Sequence, residues 1–191
     1  MGELWRRWSV RRRVCALAAL VLALGCAVRL PTSASFVAEH PRVRPDALAH
    51  LLADYTQRHH AGAWSVEQES SNYTCWRYTV VYECGARCAG RVAVEAHDVP
   101  AAGRAPLASH HLVHVRDTRC QSLPLLPWPT FCEETEWRAQ VRGAGAGGSR
   151  VEETATTWCS AARVLWGSCA ARLRDQLERW HQRLRVAALA S

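Results

Sequence analysis

Seven cysteines beyond residue 34 are the residues of this 191-residue chain whose chemistry is easiest to anticipate. They are Cys75, Cys84, Cys88, Cys120, Cys132, Cys159 and Cys169. Zinc sites of four ligands need close pairs of cysteine or histidine, but the closest pair here, Cys84 and Cys88, has no second pair to complete a tetrahedron. A disulfide framework in an oxidising compartment is favoured instead. We therefore predict disulfides, and neither a metal nor another cofactor.

The pairing is partly constrained by position. Cys75 and Cys84 are placed to close a hairpin, and Cys120 and Cys132 to close the loop between them. An odd number of cysteines leaves one thiol, for which Cys88 is a candidate. Such a thiol is expected to be buried or to link two copies of the chain in a disulfide-bonded dimer.

Cys159 and Cys169 can pair only if the predicted C-terminal helix is interrupted. In a continuous helix from Ser160, the ten residues that separate them span about 15 Å. The Cα atoms of a disulfide lie only about 4.4–6.8 Å apart. If the helix begins only after Gly167, this restriction disappears.

Four histidines, His97, His110, His111 and His114, are the closest approach to a metal or acid–base site. Alternation along a strand places His110 and His114 on one face, but further ligands would have to come from elsewhere. We expect these side chains to be exposed or hydrogen bonded.

The sequence contains no recognisable motif for catalysis. The serines lack the G-x-S-x-G context of a nucleophile elbow, and no histidine is tied to Cys88, although Arg87 beside it would favour a thiolate. The adjacent acids Glu133–Glu134 and Glu152–Glu153 point to opposite faces of a strand and are expected to be solvated. We predict no catalytic residue and do not expect an enzyme.

Residues 1–34 have the arrangement of an export signal. Arginines precede an apolar run over residues 14–28, and small residues before Ser35 offer a cleavage site. A membrane span usually needs about 20 residues, so cleavage before Ser35 is favoured; the alternative is an uncleaved signal-anchor with its arginines in the cytosol. We interpret residues 35–44 as a stem and residues 45–191 as one extracytosolic domain. The protein is then secreted, or is a type II membrane protein of the ER, Golgi or cell surface.

An N-glycosylation acceptor, Asn72-Tyr73-Thr74, supports this location. Asn72 is the only asparagine of the chain, so an accidental acceptor had few chances to arise. We predict a glycan on Asn72; the alternative is an acceptor that folds into a strand before it is used.

Most of the positive charge lies in the export segment. Residues 1–34 carry six arginines against one acid, whereas the remaining residues carry 18 arginines against 16 acids. Nucleic-acid phosphates require a clustered surplus of positive charge on the folded part, so we expect no nucleic-acid partner.

Hydrophobic periodicity predicts a short helix followed by a sheet. Apolar residues recur at helical spacing from Leu48 to Tyr55, after Pro45. From Trp64 the period changes to two, and the runs 75–82, 91–99, 110–120, 133–141 and 150–159 repeat it. Sequential runs of this kind most simply form an antiparallel meander.

The C-terminal residues predict a longer amphipathic helix capped by Ser160. Its apolar face consists of Trp166, Cys169, Leu173, Leu177, Trp180 and Leu184. We assign Trp76, Trp137 and Trp166 to the core. The predicted fold class is α+β: a small disulfide-stabilised antiparallel β-meander with a short N-terminal helix and a longer C-terminal amphipathic helix.

A stiff apolar loop is the predicted contact with a partner. Trp128 lies between two prolines, close to Leu125, Leu126 and Phe131, and exposed aromatic loops often carry binding energy. We expect a secreted or lumenal disulfide-rich protein that binds another protein as a ligand, inhibitor or adhesion molecule. The alternative is a small type II membrane protein with a lumenal enzymatic or enzyme-accessory role, which contacts the membrane only through residues 14–28.

Overall fold

A computed structural model describes residues 13–21, 24–25, 28–54, 62–72, 74–99, 110–122, 129–144 and 147–190. The strands are β1 (Arg29–His40), β2 (Trp64–Ser71), β3 (Cys75–Gly85), β4 (Cys88–Val99), β5 (His110–Ser122), β6 (Pro129–Ala144) and β7 (Gly148–Ser160). The helices are α1 (Pro45–Ala53), α2 (Ala161–Leu165) and α3 (Ser168–Ala190). Residues 13–21 and 24–25 are also helical. Within the described ranges, no helix combines the length and the apolar character needed to cross a membrane.

The seven strands form one antiparallel sheet. β2 to β7 pair in sequence order, and β1 pairs with β7, so the order is β1-β7-β6-β5-β4-β3-β2. The short helix α1 precedes the meander and the long helix α3 follows it. The predicted α+β class and its disulfide-stabilised antiparallel meander are confirmed.

The first strand has no counterpart among the predicted strands. Residues 35–44, which we interpreted as a stem, lie in β1 up to His40 and then in the turn that leads into α1. The inward-facing residues of β1 include Ala34, Phe36 and Ala38, and alanines make the alternation of hydrophobicity weak. Every residue of β1 has a partner on β7, so this strand is part of the sheet.

One face of the sheet is apolar and the other is polar, as the alternation predicted. On β3, Tyr78, Val80 and Tyr82 are buried, whereas Arg77 and Glu83 are exposed. Both α1 and α3 contribute buried residues to the core on the apolar face. The helices therefore cover the apolar face, and the polar face is the outer side of the sheet.

Helix α3 packs through the predicted apolar stripe. Leu173, Leu177, Trp180 and Leu184 are all buried, and burying an apolar side chain of this size contributes about 1.5–3 kcal/mol. The stripe follows the spacing of three and four residues that places side chains on one face of a helix.

The start of this helix differs from the prediction. The chain forms the short α2 and then a turn, in which Gly167 adopts a φ of 65°, a conformation that favours glycine. Ser160 is the last residue of β7 and not the cap of a continuous helix. Trp166 lies in the turn and is 78% exposed, so its assignment to the core was wrong.

Three disulfides join neighbouring elements: Cys84–Cys88, Cys120–Cys132 and Cys159–Cys169. The first closes the turn between β3 and β4, and the second joins directly opposite residues of β5 and β6. The third ties β7 to α3, with its Cα atoms 6.4 Å apart. The interruption at Gly167 makes this last pairing possible.

Two predicted roles of cysteines require correction. The proposed Cys75–Cys84 bond is wrong, because Cys84 pairs with Cys88 across the tight turn. Cys88 is therefore not the remaining thiol. Of the seven cysteines beyond residue 34, Cys75 is unpaired, and it is partly buried.

Candidate functional site in the cavity between the C-terminal helix and the sheet

A cavity of about 1530 Å³ lies between α3 and the apolar face of the sheet. On the sheet side it is lined by Tyr82 of β3, Asp117 of β5, and Thr135 and Trp137 of β6. The turn between β3 and β4 forms one end of it. Three strands thus supply one wall, with β4 lying between β3 and β5, and the strand register fixes the relative positions of these side chains.

A buried hydrogen bond organises the sheet wall. The hydroxyl of Tyr82 donates to Asp117 Oδ1 at 2.8 Å. The ring of Tyr82 lies over Gly90, its direct partner on β4. A Cβ atom at Gly90 would lie 2.3 Å from Cζ of Tyr82, so only glycine leaves room for the ring.

The helix wall combines apolar and cationic side chains. Leu177 and Trp180 are buried and line the cavity, while Arg172, Gln176 and Arg183 line it from exposed positions on α3. These residues recur at the spacing of three and four that brings side chains onto one side of a helix. The helix wall therefore offers guanidinium groups and one exposed apolar side chain, that of Val186.

Other charged groups also line the cavity. Glu133 and Arg119 face it from the sheet, and Arg179 faces it from α3. Arg179 is paired with Asp175, one turn earlier on the same helix. Arg172 and Arg183 lie on either side of this pair along the helix.

A buried polar cluster fixes α3 on the sheet beside the cavity. His181 Nε2 lies 2.9 Å from Glu153 Oε2. The ring of Phe36 stacks on that of His181 with centroids 4.6 Å apart, and His40 and Ser149 are buried as well. Burial lowers the pKa of His40, and the nearby His181 and Arg185 lower it further.

The lining can bury an apolar body and orient a charged group. Trp137, which is partly buried, and Val186, which is exposed, supply the accessible apolar surface, and the guanidinium groups of Arg172 and Arg183 supply cations. Ligand cavities commonly combine apolar walls with a few placed polar groups. The chemistry of this arrangement is noncovalent binding.

The predicted contact loop falls largely outside the described part of the chain. This holds for Leu125, Leu126 and Trp128; for Phe131 the structure describes its place in β6 and not its side chain. The proposed role of these residues in partner binding remains a prediction.

The predicted glycosylation residue, Asn72, lies exposed between β2 and β3. Its Oδ1 accepts hydrogen bonds from the backbone N–H groups of Thr74, at 3.0 Å, and Cys75, at 2.6 Å. A turn of this kind fixes the start of β3. Glycosylation of Asn72 remains a prediction.

Three of the four histidines singled out in the sequence, His97, His111 and His114, lie against carboxylates. His111 Nδ1 lies 2.7 Å from Asp98 Oδ1, and His114 Nε2 lies 2.5 Å from Glu136 Oε1. A hydrogen bond from Arg138 lowers the pKa of Glu136 and outweighs the effect of burial, which raises it.

Glu153, in the buried polar cluster beside the cavity, was expected to be solvated, and this expectation was wrong. Of the pair Glu152–Glu153, Glu152 faces out near Arg150, as expected, but Glu153 is 1% exposed. Its position between Val151 and Ala155, both buried, carried the signal, since alternate residues of a strand share a face.

Known proteins resemble this chain only distantly. No family model and no curated protein matches the chain. A hypothetical protein of Helicobacter pylori is 10% identical, with 82% of this chain and 88% of that one covered and a TM-score of 0.49. The lipid transfer and protein localization domain of human StarD13 is 11% identical, with 79% and 76% covered and a TM-score of 0.46. A Staphylococcus aureus protein of unknown function is 5% identical, with 86% and 97% covered and a TM-score of 0.45.

Proposed function

We propose that this protein is an exported, disulfide-stabilised binding protein that holds an amphipathic molecule with an anionic group between α3 and the sheet. The observation that carries the proposal is the cavity of about 1530 Å³, whose lining combines apolar side chains with arginines on its helix side. Drug-sized ligands occupy cavities of about 300–1,000 Å³. The available space therefore accommodates a molecule of the size of a small lipid.

The anionic group follows from the residues on α3. Arg172 and Arg183 are exposed to the solvent while they line the cavity. A guanidinium group forms bidentate hydrogen bonds with carboxylate, sulfonate or phosphate oxygens. The apolar part of the ligand then packs on Trp137 and Val186.

Export is supported by three separate features. The chain has a basic and then apolar segment before β1, the exposed Asn72 begins an acceptor sequence, and six cysteines form disulfides. Disulfides persist in oxidising compartments. The ligand is then a molecule met in the secretory pathway or outside the cell.

Two dyes with one ring system test the proposal. 1-Anilinonaphthalene-8-sulfonate carries an anionic group, and N-phenyl-1-naphthylamine has the same rings without it. Two charge reversals, R172E and R183E, should weaken binding of the sulfonate by roughly five- to tenfold, because each exposed ion pair contributes up to about 1 kcal/mol. Binding of the neutral dye should change little.

The matched control is R174E, at an exposed arginine of α3 that does not line the cavity. It should leave both dyes unaffected. Equal weakening by R174E and by R172E/R183E would show that the dye responds to the net charge of the protein and not to the cavity.

Binding of a protein partner is a second candidate function. Leu165 is 84% exposed and Trp166 is 78% exposed at the corner between α2 and α3, and exposed aromatic residues often anchor protein contacts. Cross-linking at the surface of exporting cells tests this role. The double variant L165S/W166S should lose a cross-linked product that R174E retains; a product that persists in both would exclude this corner as the contact.

A further inference from the structure

Three potential metal ligands converge on the outer face of the sheet, away from the cavity. Sγ of Cys75, Nε2 of His97 and a carboxylate oxygen of Glu95 lie within 4.8 Å of one another. Sγ of Cys75 is 3.9 Å from Nε2 of His97, and this nitrogen is 2.5 Å from Oε1 of Glu95. All three residues are partly buried.

The strand register brings these residues together. Cys75 of β3 lies directly opposite His97 of β4, and Arg77 lies opposite Glu95. Opposite residues of antiparallel strands have their side chains close together, and alternate residues share a face. The start of β3 is also held by the turn at Asn72, which binds the backbone N–H of Cys75 at 2.6 Å.

The arrangement differs from that of a catalytic thiol. In a nucleophile–histidine–carboxylate relay, the two partners bind opposite nitrogens of the imidazole ring. Here, one nitrogen, Nε2 of His97, faces both the sulfur of Cys75 and the carboxylate of Glu95. The sulfur, nitrogen and oxygen atoms of the three side chains therefore lie around one region, which suits a cation.

We propose that Cys75, Glu95 and His97 bind a zinc ion, with the fourth position open to water or to another ligand. Zinc accepts this mixture of sulfur, nitrogen and oxygen ligands in tetrahedral geometry. Binding requires the thiolate, so the thiol of Cys75 releases its proton to the solvent. The role also accounts for the one cysteine beyond residue 34 that forms no disulfide.

The distances require a small rearrangement. Ligand lengths of about 2.3 Å for sulfur and about 2.0–2.2 Å for nitrogen and oxygen place the ligand atoms roughly 3.4–3.6 Å apart in a tetrahedron. The sulfur–nitrogen separation of 3.9 Å is near this range, whereas the nitrogen–oxygen separation of 2.5 Å has to widen. The side chains of His97 and Glu95 are 38% and 32% exposed, which leaves them room to move.

Arg77 competes with the metal. Its Nη2 lies 2.5 Å from Oε1 of Glu95, the same oxygen that faces His97. A divalent cation at this point would be repelled by the guanidinium group, which is 60% exposed and can turn away. Removal of this arginine should therefore favour metal binding.

Titration with Co²⁺ tests the site. The sample is the full exported chain with its disulfides intact, from which a chelator has first removed any bound metal. One equivalent should produce the charge-transfer absorption of a thiolate–cobalt bond, and Zn²⁺ should abolish it by displacement. C75S should remove the absorption. H97Q should weaken binding of Co²⁺ at least about tenfold, because even the loss of a residue that only supports a ligand typically lowers metal affinity by about that factor. R77Q should strengthen binding, an effect that a purely structural role of these residues would not produce.

The matched control is H114Q, because His114 also pairs with a carboxylate on the same sheet. It should bind Co²⁺ as the original chain does, and circular dichroism should show that every variant is folded. Absence of the thiolate–cobalt band in the folded original chain would overturn the proposal. So would equal effects of H97Q and H114Q, or isolation of the protein as a dimer linked through Cys75.

Discussion

His181 of α3 and Glu153 of β7 face each other inside the protein, with Nε2 and Oε2 2.9 Å apart and side chains no more than 1% exposed. Removing one member of a buried pair leaves the other without compensation, which typically costs about 3–5 kcal/mol. H181L should therefore lower the free energy of unfolding by about this amount in urea denaturation. The control R174A, at an exposed position of the same helix, should change it by less than about 0.5 kcal/mol.

The double variant H181L/E153L refines this prediction. Apolar residues of similar volume often replace a buried ion pair without loss of stability. The double variant should thus be more stable than H181L alone. A double variant that is less stable than either single variant would mean that the pair does not act as a unit.

Burial of His40 predicts loss of stability in mild acid. Its pKa is lowered in the folded protein from the ordinary 6.5, so the unfolded chain binds the proton more readily as pH falls through this value. Stability should therefore decrease from about pH 7.5 to about pH 5.5. The charged and titratable groups around this histidine include His181, Glu153 and Arg185.

Thermal denaturation as a function of pH measures this effect. H40Q should flatten the decrease in melting temperature over that range, whatever its effect at neutral pH. H50Q, which replaces an exposed histidine of α1, should leave the slope unchanged. If the melting temperature of H40Q decreased with pH as steeply as that of the original chain, groups other than His40 would be responsible for the pH dependence.

Gly90 should be essential for the position of Tyr82. A Cβ atom there would lie 2.3 Å from the tyrosine ring, and overpacking in a core typically costs about 1–3 kcal/mol. G90A should lower the free energy of unfolding by this amount and also weaken dye binding, because Tyr82 lines the cavity. A89S, at the exposed neighbouring position, is the control; equal stabilities of the two variants would contradict the packing argument.

The register of β1 predicts where the export segment can be cleaved. Cleavage before Ser35 would remove Arg29 to Ala34, which pair with residues 155–160 of β7. A folded, secreted form should therefore begin at or before Arg29. The small residues Gly25 and Ala27 suit cleavage before Val28.

N-terminal sequencing and intact mass of protein from the medium test this prediction. A mature chain that starts near Val28, or an uncleaved chain held in the membrane, agrees with it. A stable secreted chain that starts at Ser35 would show that the first half of β1 is dispensable.

The sequence predicted the elements whose alternation or helical spacing is strongly hydrophobic. β3 to β7 and α1 belong to this group, as does the stripe of α3 from Leu173 to Leu184. β2 was not among the predicted strands, because its residues are all exposed and few of them are apolar. β1 was missed because alanines hold several of its inward positions. Trp166 was misassigned because the break at Gly167 interrupts a pattern that reads as one continuous helix.

The site could not be predicted in the same way, because its residues are distant in the sequence. Tyr82, Asp117 and Trp137 come together through the pairing of four strands, β3 to β6, and Trp180 reaches them through the packing of α3. The same reason hid the group of Cys75, Glu95 and His97, since strand register and not local spacing makes them neighbours. Hydrophobic periodicity is visible along the sequence, whereas these sites depend on which strands pair with one another in the folded sheet.

Filling the cavity tests the proposed function most directly. Gln176 lines the cavity from an exposed position on α3, so Q176W should place an indole ring in the space without a loss of core packing. E178W adds the same ring at an exposed position of α3 that does not line the cavity. Q176W should weaken binding of both the sulfonated and the neutral dye at least tenfold relative to E178W, with unchanged melting temperature. Equal affinities of the two variants for both dyes would contradict a binding site between α3 and the sheet.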